Sequence, residues 1–135
     1  MQYWLIKSDP ETYGWKEMQE DKKTSWDGIR NYAARIHLRA MQKGDRCLFY
    51  QSVKQPEVVG VVEVTKTAYP DPTATDGDWS SVEVKVVKAF KNPVTLKQIK
   101  ETPELSDMVL LRISRLSTQP VTEFQFQRIL EMGGV

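Results

Sequence analysis

The strongest constraint on this chain is where its β-forming runs fall. They are scattered from one end to the other, with helix-forming stretches between them and no regular βαβ alternation. Residues 1–7 carry Tyr3, Trp4 and Ile6 and read as a first strand. Pro10 ends it, because proline lacks an amide donor and pushes Asp9 out of the helical region. Further strands are expected at 46–51 and 58–67, the second bent or bulged at Gly60. Trp79 opens another, in which Val82, Val84 and Val86 alternate with outward Glu83 and Lys85. The apolar run at 107–113 reads as a last core strand.

Helices are expected at 15–21, 29–43, 95–100 and 122–132, the second closed by Gly44 in a left-handed conformation. On that long helix Ala34, Leu38 and Met41 recur at helical spacing and face inward. Residues 21–25 and 69–78 read as loops, 54–57 as a polar break and 114–120 as an extended segment. Strands interrupted in this way suit an α+β fold, a mixed and mostly antiparallel sheet curled into a barrel with helices packed on it. No linker divides the chain, so a single domain over residues 1–135 is expected.

Nineteen basic residues against eighteen acidic leave a formal charge of +1, which argues against a protein that coats a polyanion through many phosphate contacts. Cys47 stands alone in an apolar run, so it closes no disulfide within the chain and suits a small core position. His37 is the single histidine, which rules out a His-rich metal site. No nucleophile and base stand at a recognisable spacing, and neither metal nor cofactor is expected. The apolar runs are too short to span a membrane and no leader is visible, so a monomer in the cytoplasm is expected.

Chemistry concentrates in Trp26-Asp27-Gly28-Ile29-Arg30-Asn31 and the following Tyr32-Ala33-Ala34-Arg35. Trp26 offers a flat face, worth about 1–3 kcal/mol per stacked base. Asn31 donates and accepts together, as reading a heterocycle edge requires. Arg30 and Arg35 suit phosphate oxygens, and Gly28 permits a positive φ ahead of the helix. A buried Trp beside a solvated basic helix accounts for the same ten residues equally well.

Six motifs in order resemble the EVE domain, a member of the PUA-like superfamily related to the YTH domain. The opening Tyr3-Trp4-Leu5-Ile6-Lys7-Ser8-Asp9-Pro10 is similar to that family's first strand and turn, with Asp9 where Glu is usual. Trp26-Asp27-Gly28-Ile29-Arg30-Asn31 with Ala34-Arg35 resembles its central signature. Met41-Gln42-Lys43-Gly44-Asp45 with Phe49-Tyr50, and Val59-Gly60-Val61-Val62-Glu63-Val64, follow in place. Tyr69-Pro70-Asp71-Pro72 and Arg115-Leu116-Ser117-Thr118-Gln119-Pro120-Val121 complete the set. Gln51 replaces the usual His, and Ile36 the usual Asn.

The resemblance implies a PUA-like, partly open β-barrel whose cleft takes a modified base lifted out of DNA or RNA. Trp26 would form one aromatic wall and Trp79 a second. Lys7, Ser8, Asn31, Tyr50 and Ser52 would give polar contacts to the base, while Arg30 and Arg35 meet phosphate. Arg30 is equally suited to an internal salt bridge with Asp27 or Asp45, and Arg115 and Gln119 to bracing the barrel. Trp4 and Trp15 are assigned to structure. The leading expectation is a non-catalytic module that reads a modified base, with no membrane partner. Its rival is an enzyme acting on a nucleobase or nucleotide in the same cleft, with Asp27, Asp71 and Lys7 available for acid–base work. Replacing Trp26 by Ala is expected to abolish binding at little cost in melting temperature.

Overall fold

The computed structural model describes residues 1–52, 55–113 and 115–135. Lys54 of the expected polar break and Ser114 of the expected extended segment lie outside the described residues. Six strands, β1 (Tyr3–Ser8), β2 (Lys23–Trp26), β3 (Arg46–Gln51), β4 (Glu57–Pro70), β5 (Ser80–Thr95) and β6 (Thr118–Val121), form one sheet in the order β2-β5-β4-β3-β1-β6. β1 and β3 run parallel, and the other neighbours are antiparallel. With β2 and β6 as its edges the sheet is open, not a closed barrel. Among the described residues six α-helices accompany it: α1 (Pro10–Tyr13), α2 (Trp15–Asp21), α3 (Tyr32–Ala40), α4 (Leu96–Lys100), α5 (Val109–Arg112) and α6 (Glu123–Met132).

The central strands are buried on both faces, which explains their nearly unbroken apolar runs. Trp4, Ile6, Cys47, Phe49, Val62 and Val84 point to one face and pack with Trp15 and Met18 of α2 and Leu38 of α3. Leu5, Leu48, Tyr50, Val58 and Val61 point to the other, under Ile99, Leu110, Phe126 and Ile129.

Several boundaries depart from expectation for identifiable reasons. Residues 23–26 are not loop but the edge strand β2, paired with Val82 to Lys85; an edge strand tolerates the polar residues that concealed it. Residues 107–113 hold no strand: a 3-10 turn at Pro103–Leu105 leads into α5, a short apolar run whose period is ambiguous. The long helix begins at Tyr32, not residue 29, because the Asn31 carboxamide oxygen accepts from the Ala34 amide at 2.9 Å and caps it. It ends at Ala40 with Met41 as its cap, and Gly44 (φ 95°) serves instead the turn into β3. The strands β4 and β5 run longer than expected, β4 taking in Tyr69 and Pro70, and are joined by residues 71–79, so Trp79 precedes β5.

Candidate nucleic-acid interface

At one end of the sheet, the last residues of β1, the short helix α1 and the exit of β2 surround a cleft of about 480 Å³. Lys7, Ser8, Tyr13, Trp26, Asp27 and Ile29 are among its lining residues. Its size falls in the range of about 300–1,000 Å³ common for small-molecule sites.

The order Ser8-Asp9-Pro10-Glu11 builds the near wall. Asp9 caps α1 by accepting from the Glu11 amide at 2.9 Å, and Pro10 occupies the first helical position, where no donor is needed. That turn brings Tyr13 back over the strand end, where the Ser8 hydroxyl donates to the Tyr13 carbonyl. The Tyr13 hydroxyl donates to Asp21 at 2.7 Å. Burial and that carboxylate together push its pKa up to about 12. Trp26 forms the floor, with Phe49 at 5.5 Å and Tyr13 at 6.2 Å, both nearly edge-on.

The far wall depends on Asp71, whose side chain is fully buried. One carboxylate oxygen accepts from the Gly28 amide and from Arg30 Nη1, each at 2.9 Å. The other accepts from the Thr73 amide and hydroxyl, each at 2.7 Å. Burial alone would raise the Asp71 pKa, but these donors outweigh it and hold the carboxyl far below the usual carboxylate range. Gly28 makes its bond from φ 78°, a conformation glycine adopts without cost. The loop after Trp26 is thus clamped to the β4–β5 loop. Burial and then the Asp71 charge raise the pKa of Asp27 on the cleft's lip, against the opposing pull of Arg30.

Of the residues singled out in the sequence as base contacts, Lys7, Ser8 and Trp26 line this cleft, and Asp27 of the acid–base set lines it with them. The Lys7 ammonium lies 5.8 Å over the Tyr50 ring, and burial lowers its pKa. Asn31 is a helix cap, and Tyr50 is buried in the second core. The Ser52 amide and hydroxyl both donate to the Ser8 carbonyl, at 3.0 and 3.3 Å, so Ser52 steadies the cleft from behind. Trp79 is not among the lining residues: it stacks on Tyr32 at 5.2 Å, with Arg30 and Arg35 over its ring. Arg30 pairs with Asp71 instead of Asp27 or Asp45, and Arg35 donates to the Asp78 carbonyl at 2.8 Å.

Asp45 holds the other end of β1, accepting from Trp4 Nε1 at 3.0 Å. Gln119 is buried and donates to the Leu116 carbonyl, so it braces the sheet edge as expected. The Gln51 carboxamide accepts from the Trp15 amide at 2.9 Å and anchors the start of α2, while Ile36 stands exposed on α3.

Sequence reasoning missed Tyr13 as a wall; the capping order Asp9-Pro10-Glu11 was the signal that a helical turn would fold it back. Burial also overturns the idea that Trp26 can be removed cheaply. Only 7% of the residue is exposed, and it belongs to the first core. A larger hollow of about 670 Å³ beside Lys43, Lys66 and Tyr69 lacks such a buried aromatic floor. Among the described residues no cluster of three His, Cys, Asp or Glu side chains is placed to hold a metal.

The family model for the EVE domain matches residues 2–132. Thymocyte nuclear protein 1 of Gallus gallus is 34% identical, the match covering 96% of this chain and 68% of that protein. The crystal structure of human THYN1 in complex with DNA containing 5-methylcytosine is 31% identical with a TM-score of 0.91, covering 100% of this chain and 99% of that one. The YTH domain of Zygosaccharomyces rouxii MRB1, solved with N6-methyladenosine RNA, shares the fold at 18% identity and a TM-score of 0.65, over 98% of this chain and 86% of that one. A family match over nearly every residue, with its motifs at the cleft, places this chain in the EVE domain family.

Proposed function

We propose that this chain is a non-catalytic reader of a modified base in nucleic acid, and that the base leaves its strand to enter the cleft over Trp26. The observation that carries this reading is an aromatic-floored cleft at the central EVE signature. The chain around it is 31% identical along its whole length to a protein solved with 5-methylcytosine DNA. Unstacking a base costs a few kcal/mol. Contact with the Trp26 and Tyr13 rings, joined by polar contacts from the Lys7 side, offsets that cost. Arg35 has no carboxylate partner among the described residues and is the better placed of the two arginines to meet a phosphate, since Arg30 is tied to Asp71. With a net charge of +1, affinity rests on the cleft and falls only gently with salt.

The enzymatic alternative has less to draw on. Asp71 is held as a structural anion by four donors and the Ser8 hydroxyl is committed to the Tyr13 carbonyl, so the acid–base candidates reduce to Asp27 and Lys7. The test is equilibrium titration of the protein with a short DNA duplex carrying one 5-methylcytosine, beside the unmodified duplex. The methylated duplex binds more tightly, and Trp26→Phe weakens that binding by about tenfold through the smaller stacking face.

A further inference from the structure

The polar side chains around the cleft differ in what they have left to offer. Ser8 donates to the Tyr13 carbonyl, and Asp9 accepts from the Glu11 amide. Tyr13 donates to Asp21, while Ser25 and Tyr69 share a hydrogen bond at 2.7 Å. Of the two carboxyl groups on the cleft, Asp9 is committed to its cap, whereas the Asp27 side chain has no hydrogen bond to another residue among the described residues. Arg30, the cation that acts on it, is bonded at 2.9 Å to Asp71. Asp27 is also held in place, since it sits between the floor residue Trp26 and Gly28, whose amide is fixed to Asp71.

An ionised carboxylate offers acceptors and no donor. It accepts from the exocyclic amino group of cytosine, and it repels the carbonyl oxygen that thymine carries at the same place. We infer that Asp27 reads the amino edge of the bound base, so that the cleft takes 5-methylcytosine and refuses thymine, which has the same outline and the same methyl group. The inference rests on the proposed base-reading function and names the chemistry that makes it selective.

The test uses the full chain and two DNA duplexes that differ at one position, 5-methylcytosine opposite guanine or thymine opposite guanine. The mismatched thymine is the easier base to extrude, so the comparison is weighted against the inference. The wild type binds the 5-methylcytosine duplex about tenfold more tightly, and Asp27→Asn, which presents both a donor and an acceptor, narrows the ratio to within about threefold. The melting temperature of Asp27→Asn does not fall, because the residue is exposed and the substitution removes a charge that Asp71 repels. No preference in the wild type, or an undiminished preference in Asp27→Asn, overturns the inference while leaving the reader intact, provided that binding still weakens in Trp26→Phe. If neither duplex binds, or Trp26→Phe binds as the wild type does, the reading of the cleft itself fails and this inference falls with it.

Discussion

Asp71 and Arg30 meet at 2.9 Å across 41 residues of sequence, and the same carboxylate oxygen holds the Gly28 amide. One buried anion thereby sets the path of the loop that leaves Trp26. Replacing Asp71 by Ala strands the amides of Gly28 and Thr73 together with the guanidinium. Arg30 is more than a third exposed, so water screens the ion pair and the bonds to the two amides carry more of the effect. The expected loss is about 2–3 kcal/mol in urea denaturation.

The same carboxylate sets an acid limit. Its pKa is depressed in the folded protein, so the unfolded chain binds the proton more readily. The stability that Asp71 contributes is complete above the unfolded value of about 3.9 and is lost as pH falls through that value towards the lower folded one. Urea midpoints measured from neutral pH downward should fall more steeply for the wild type than for Asp71→Asn, the two curves separating from about pH 5.

Gly60 tests the packing behind the cleft. A methyl group there would overlap the Trp15 indole, which lies in the first core against Phe49 at 5.0 Å. Gly60→Ala should lower stability by about 1–3 kcal/mol, the usual cost of overpacking, with the chemical denaturation midpoint as readout. Because Phe49 also abuts Trp26, the variant should weaken oligonucleotide binding as well.

Trp26 separates floor from core. Trp26→Ala removes a residue that is 7% exposed and should cost about 3–5 kcal/mol, a large fall in melting temperature. Trp26→Phe should fold with a smaller loss and is the variant in which binding can be read. Differential scanning calorimetry on both distinguishes the two contributions.

Much of this was legible from residue order because strand and helix periods were strong where both faces are buried, as in Trp4-Leu5-Ile6 and Cys47-Leu48-Phe49. The edge strand at Lys23–Trp26 was not, since solvent on one side leaves no apolar period to detect. Lys7, Ser8 and Trp26 line one cleft, and motif order in the sequence had marked all three. Trp79 lies outside the lining of that cleft, because a Trp near a strand start carries no sign of which hollow it faces; its partners, Tyr32 and Arg35, come from α3. Asn31 illustrates a local competition. A side chain able to read a base edge also caps a helix well, and the cap is what forms.

The central claim is that the base sits against Trp26. The most direct measurement is a proton–nitrogen NMR titration of the isotope-labelled protein with a short 5-methylcytosine duplex, following the four indole N–H signals and the backbone amides. The account predicts that the Trp26 indole shifts together with the amides of Ser8, Tyr13 and Asp27, while the Trp4 and Trp15 indoles hold still. Saturable binding that leaves Trp26 and those amides unmoved, with shifts confined to another face of the sheet, would contradict it.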